Sequence, residues 1–167
     1  MPLTEVTEAD LAEVSRQLGR PARDIFAIAA RCVCGKPTVV HTAPRLTDGT
    51  PFPTTYYLTH KGATAAISGL EASGFMAQLQ DRLHSDPELQ VSYQAAHAAY
   101  MADRDAIAKT LKLEVPEING VSAGGMPTRV KCLHALIGHS LAAGPGVNPI
   151  GDLALEACSW SPSVCAC

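Results

Sequence analysis

The alternation of apolar and polar positions changes period along the chain and divides it into an early stretch of short strands and a later run of helices. Thr7 followed by Asp10 has the form of a capping box, and Gly19 and Pro21 close the helix it opens. Ile25 to Ala30 then reads as a strand that runs into a turn, with Cys32 and Cys34 at its exit. The β-branched segment Thr38 to Thr42 predicts a second strand, and Thr54 to Thr59, centred on Tyr56 and Tyr57, a third. Between them, the prolines and Asp48-Gly49 of Pro44 to Pro53 demand a structured loop.

From Lys61 onward the period becomes helical. Ala63 to Ser73 ends at Gly74, and Phe75 to Leu83 forms a second short helix. Ser85-Asp86-Pro87-Glu88 is a helix start, with a capping side chain, Pro in the first turn and Glu at the box position. Leu89, Tyr93, Ala96, Tyr100, Ile107 and Leu111 follow at helical spacing. Glu114 to Pro127 reads as a Gly-rich loop, Thr128 to Ala143 as helix, and Asn148-Pro149 as the start of a short last one. The expected fold is α+β: a small antiparallel sheet of about three strands packed by several helices, in one domain spanning the chain.

Composition narrows the function classes. The chain has 167 residues, enough to bury a core without staples, and 47% are hydrophobic. Thirteen basic against sixteen acidic residues give a net charge of −3, which argues against general nucleic-acid or acidic-membrane binding. The acidic N-terminus lacks the form of a signal peptide. The uncharged stretch Cys132 to Gly151 is long enough for a membrane span, but its histidines, glycines and prolines make it a buried helix and loop. These features lead to the expectation of a cytoplasmic protein whose six cysteines are thiols.

Those cysteines carry the chemistry. Two Cys-x-Cys pairs, Cys32/Cys34 and Cys165/Cys167, offer soft thiolates suited to zinc or to an iron–sulfur cluster. Gly35 lets the first pair bend tightly, and the second pair, at the end of the chain, would pin a tail that otherwise frays. Zinc is favoured, with an iron–sulfur cluster as the alternative. Cys132 and His139 are further candidate ligands, seven residues apart on one face of the predicted helix. His134 falls nearly opposite Cys132 if that helix is regular, so the two would not reach one ion. Cys158 has no partner at a useful spacing and reads as a packing residue.

A second expectation concerns anions. Gly124-Gly125 leads into a helix start bearing Arg129 and Lys131, and free amides with basic side chains attract a phosphate or carboxylate. Arg45 from the Pro-rich loop and His134 complete the candidate anion-binding set for a small anionic ligand. The spacing is not that of a P-loop.

Several blocks resemble an actinobacterial family, domain-of-unknown-function 501. They are Arg31 to Pro37 (Arg-Cys-x-Cys-Gly-x-Pro), Pro44 to Thr59, Val130-Lys131-Cys132-Leu133-His134-Ala135 and Asn148-Pro149-Ile150-Gly151. The resemblance runs from about Leu18 to Asp152 and implies a cytoplasmic bacterial protein of unassigned activity. It also implies Cys-Pro after Leu58-Thr59; His60-Lys61 stands there instead, so a ligand at that position is altered or absent.

Three functional readings follow. One is a chiefly structural zinc site pinning the tail, beside an anion pocket. Another is an enzyme whose cysteines hold a catalytic metal or iron–sulfur cluster with an open coordination position. The third is a non-catalytic protein-interaction module.

Overall fold

The computed structural model describes residues 3–167, and the elements follow the predicted order. Helix α1 (Glu8–Leu18) starts at the predicted capping box: Thr7 Oγ1 accepts from the Asp10 amide, and the Asp10 carboxylate accepts from Thr7 N–H. Gly19, in the left-handed conformation, ends it. Strands β1 (Ile25–Arg31), β2 (Pro37–Thr42) and β3 (Tyr56–Leu58) form an antiparallel sheet in the order β1-β2-β3. Every residue of β2 is buried because the central strand is covered on both faces. Val40 joins Val14 of α1 and Ile28 on one side, while Val39 faces the main core on the other.

That main core is built by helices α2 (Lys61–Ala72), α3 (Phe75–Ser85), α4 (Pro87–Leu111), α5 (Leu133–Ala143) and α6 (Pro149–Ala157). The α4 cap is Asp86, whose side chain accepts from the Leu89 amide. Tyr93, Ala96 and Tyr100 of α4 are fully buried, as their spacing predicts. Helix α5 lies at the centre, with nearly its whole surface covered by β3, α6 and α2. The fold is therefore α+β, six helices and three strands among the described residues, and no helix is long and apolar enough to cross a membrane.

One boundary differs from the sequence expectation and matters for the chemistry. The helix predicted from Thr128 begins only at Leu133, because other partners take the backbone groups before it. Arg129 and Lys131 amides donate to Gly125 and Gly124 carbonyls at 2.9 and 2.8 Å, closing a glycine turn. Gln80 Oε1 accepts from Val130 N at 2.8 Å, and Tyr93 donates its hydroxyl to Arg129 O at 2.9 Å. These bonds compete successfully with the helix ladder, and residues 129–132 lie outside any helix, with Cys132 extended.

Candidate metal centre

The β1–β2 connection is a tight turn in which Cys32 N–H donates to Lys36 O at 2.9 Å and Gly35 N–H to Cys32 O at 2.8 Å. Gly35 sits at φ +89°, a conformation that only glycine adopts freely, and this turns Cys34 back toward Cys32. From the other end of the chain, Trp160 is buried in the core and packs on the His60 ring, with centroids 5.3 Å apart. The tail beyond it returns over the β1–β2 turn. The ligand atoms of Cys32, Cys34, Cys165 and Cys167 then all lie within 4.8 Å of one another. Cys32 is buried and the other three are exposed.

The geometry suits a shared cation. Cys34 and Cys167 sulfurs are 3.5 Å apart, far from the S–S bond length of about 2.05 Å. Zn–S bonds of about 2.3 Å in a tetrahedron separate sulfurs by about 3.8 Å. Electrostatics agree: the Cys34 thiol is lowered to about 7, first by the Lys36 backbone and next by Cys167. Cys167 is pushed up to about 12, by desolvation first and by the neighbouring thiols next. Four sulfurs this close ionise together only if a cation offsets their repulsion.

His60 completes the surroundings. Its Nδ1 accepts from the Ala63 amide at 3.1 Å, capping α2, so the ring proton of the neutral imidazole lies on Nε2. Nε2 is 3.1 Å from Cys167 Sγ and donates to it. The position where the family resemblance implies a cysteine thus does face the cluster, through a hydrogen-bond donor to sulfur.

The remaining predicted site residues lie elsewhere. Cys132 is not on the face of a regular helix with His139. It is the extended N-cap residue of α5, and the late helix start swings it toward His134. Cys132, His134 and Glu71 form a second group whose ligand atoms lie within 4.8 Å of one another. The expectation that Cys132 and His134 point apart fails because Cys132 is not helical. His139 is in neither group: it is fully buried, stacked on Tyr56 at 5.3 Å, with Asn148 Nδ2 donating to its Nδ1 at 3.1 Å. Burial lowers its pKa to about 4 and keeps it neutral. Cys158 packs against the main core, as expected.

Two members of the expected anion-binding set, Arg45 and His134, are engaged by carboxylates of the chain itself. Arg45 is engaged by Glu117 at 2.8 Å and by the Glu114 carbonyl at 2.8 Å. Arg129 and Lys131 are exposed and precede the helix. At the helix start that the structure shows, Leu133 N–H donates to Glu71 Oε1 at 2.8 Å. A carboxylate of the chain itself thus takes the amide at the observed start of α5, where an anion is favoured. Glu71 carried no signal in the sequence, because its role depends on α2 packing against α5.

A cavity of about 540 Å³ lies apart from both groups, lined by Phe26, His41, Tyr56, Asp103, Ile107 and Val147 among others and by no cysteine.

The fold and these clusters define a small α+β protein with a four-cysteine group at metal-binding distance. The chain belongs to the DUF501 family, described as a protein of unknown function, whose model matches residues 28–156. No curated protein and no solved structure matches it. Cys32, Cys34, Glu71, Cys132 and His134 lie inside the matched region; Cys165 and Cys167 lie beyond it.

Proposed function

We propose that this cytoplasmic protein binds one zinc ion through Cys32, Cys34, Cys165 and Cys167, and that the site is structural, holding the C-terminal tail on the β1–β2 turn. The observation that carries this reading is the meeting of four sulfurs from opposite ends of the chain within 4.8 Å. Four thiolates fill a tetrahedral shell and leave no position for substrate, as structural zinc sites do. The cavity lined by His41 and Tyr56 includes none of these cysteines, which favours the structural role over a catalytic one. His60 would orient Cys167 and lower the charge density on its sulfur.

The test is metal analysis of anaerobically purified protein with its visible spectrum. Zinc without a visible band, with one equivalent lost in Cys34→Ser, is the expected result. A brown protein with broad absorption would replace zinc by an iron–sulfur cluster. Metal-free protein with all six thiols freely titratable would end the metal reading and leave an interaction module.

A further inference from the structure

We propose that Glu71, Cys132 and His134 form a second, separate metal site, an open three-ligand site for a zinc-class divalent cation at the junction of α2 and α5. It does not depend on the four-cysteine reading. Glu71 comes from the last turn of α2, Cys132 from the N-cap of α5 and His134 from its first turn. One carboxylate oxygen, one sulfur and one ring nitrogen lie within 4.8 Å of one another, a mixed donor set that suits zinc.

The orientation of His134 is the central observation. Its Nε2 lies 3.3 Å from the Thr64 carbonyl oxygen, which can only accept, so Nε2 carries a proton. Ser68 Oγ, also 3.3 Å from Nε2, is free to accept as well. In the neutral imidazole this leaves the Nδ1 lone pair pointing at Glu71 Oε1, 3.1 Å away. Two acceptors at that distance require a cation between them: the second ring proton that Cys132 and Glu71 favour in the metal-free protein, or a metal ion in its place. With Zn–N and Zn–O bonds of about 2.0–2.2 Å, a tetrahedral ion separates these atoms by about 3.4 Å, close to what is seen. A backbone carbonyl on the far ring nitrogen is the usual partner that fixes a metal-binding histidine. Leu133 N–H, donating to the same Glu71 oxygen, holds the carboxylate in place.

Unlike the four-cysteine group, this one is incomplete as a tetrahedral shell. Three protein donors leave one position, and the side chains of His134 and Glu71 are 26% and 24% exposed, so solvent reaches it. That is the arrangement of zinc sites that keep a water or an exchangeable ligand.

Stoichiometry and spectroscopy of the full chain test the proposal, with zinc alone and then cobalt(II) as probes. We expect two zinc equivalents in the unaltered protein and one in Cys132→Ser, with unchanged circular dichroism. Cobalt loading is expected to give two spectral classes, one with the intense sulfur charge transfer of four thiolates and one with that of a single thiolate. Equal stoichiometry before and after Cys132→Ser, whether one or two, overturns the proposal. If Cys132→Ser does not fold, a single tetrathiolate class in cobalt-loaded unaltered protein overturns it equally. One equivalent that is lost in Cys132→Ser and kept in Cys34→Ser supports this site while removing the four-cysteine one. The reverse pattern removes this site alone.

Discussion

At Gly35 the chain takes a left-handed turn, and an added Cβ would meet nothing within 4 Å. The strain of a side chain there is therefore purely a backbone effect, and Gly35→Ala should cost about 1 kcal/mol in urea unfolding while also weakening retention of the proposed zinc ion. His60 makes a different kind of contribution. It donates to Cys167 Sγ without completing the thiolate set, so His60→Ala should keep the zinc stoichiometry and lower affinity by about 10–100-fold in competition with a chelator. Loss of a whole equivalent in that variant would instead make His60 a ligand. Both residues were marked in the sequence, Gly35 by its place after Cys34 and His60 by its departure from the family pattern. Glu71 was not, since a glutamate in an Ala-rich helix has no local signature of the amide and imidazole it meets 62 and 63 residues later.

Two contacts between elements set how the site is carried. Arg31, beside Cys32 at the end of β1, is held to α1 by Asp10 at 2.7 Å. The Asp10 carboxyl is lowered from 3.8 to about 2, by the Arg31 hydrogen bond first, with burial opposing it. A folded value below the unfolded one means that the pair stabilises the protein above about pH 4, and that this stability is lost as pH falls toward 2. Thermal unfolding across that range should therefore show a decline that is smaller in Asp10→Asn. On the other side of the sheet, α6 lies against α5 at Gly151, where an added Cβ would stand 2.2 Å from Leu136 O and 2.4 Å from Ser140 Oγ. Leu136 O belongs to the α5 backbone and cannot yield without disturbing that helix, so Gly151→Ala should destabilise by about 3 kcal/mol in the same assay. The Asn148-Pro149 start of α6 was legible in sequence. The start of α5 was not, because its backbone partners Gln80, Tyr93 and Glu71 lie on other elements.

Over the whole molecule, the four-cysteine group joins the first hairpin to the last residues of the chain. Trp160, the single tryptophan, is buried between that tail and the core against His60. Chelation should release the tail, shift tryptophan emission to longer wavelength and open the bonds after Trp160 to protease, while far-ultraviolet circular dichroism changes little. Unchanged emission on complete metal removal would show that Trp160 holds the tail without help from the cysteines.

Hydrophobic period, capping residues and turn signals determined the order and type of nearly every element, since those depend on interactions within a few residues. The two Cys-x-Cys pairs likewise marked the candidate ligand residues by residue type alone. Which donors share a site was decided only by the tertiary structure. A helix begins where its amide and carbonyl groups lack better partners, and for α5 those partners come from α2, α3 and α4. That delay of a few residues places Cys132 beside His134, puts Glu71 at the helix N-terminus where an external anion was expected, and leaves His139 in the core. The paired cysteines remained where the sequence put them, at the turn after β1 and at the tail; folding supplied the closeness that gathers four separate thiols into one group.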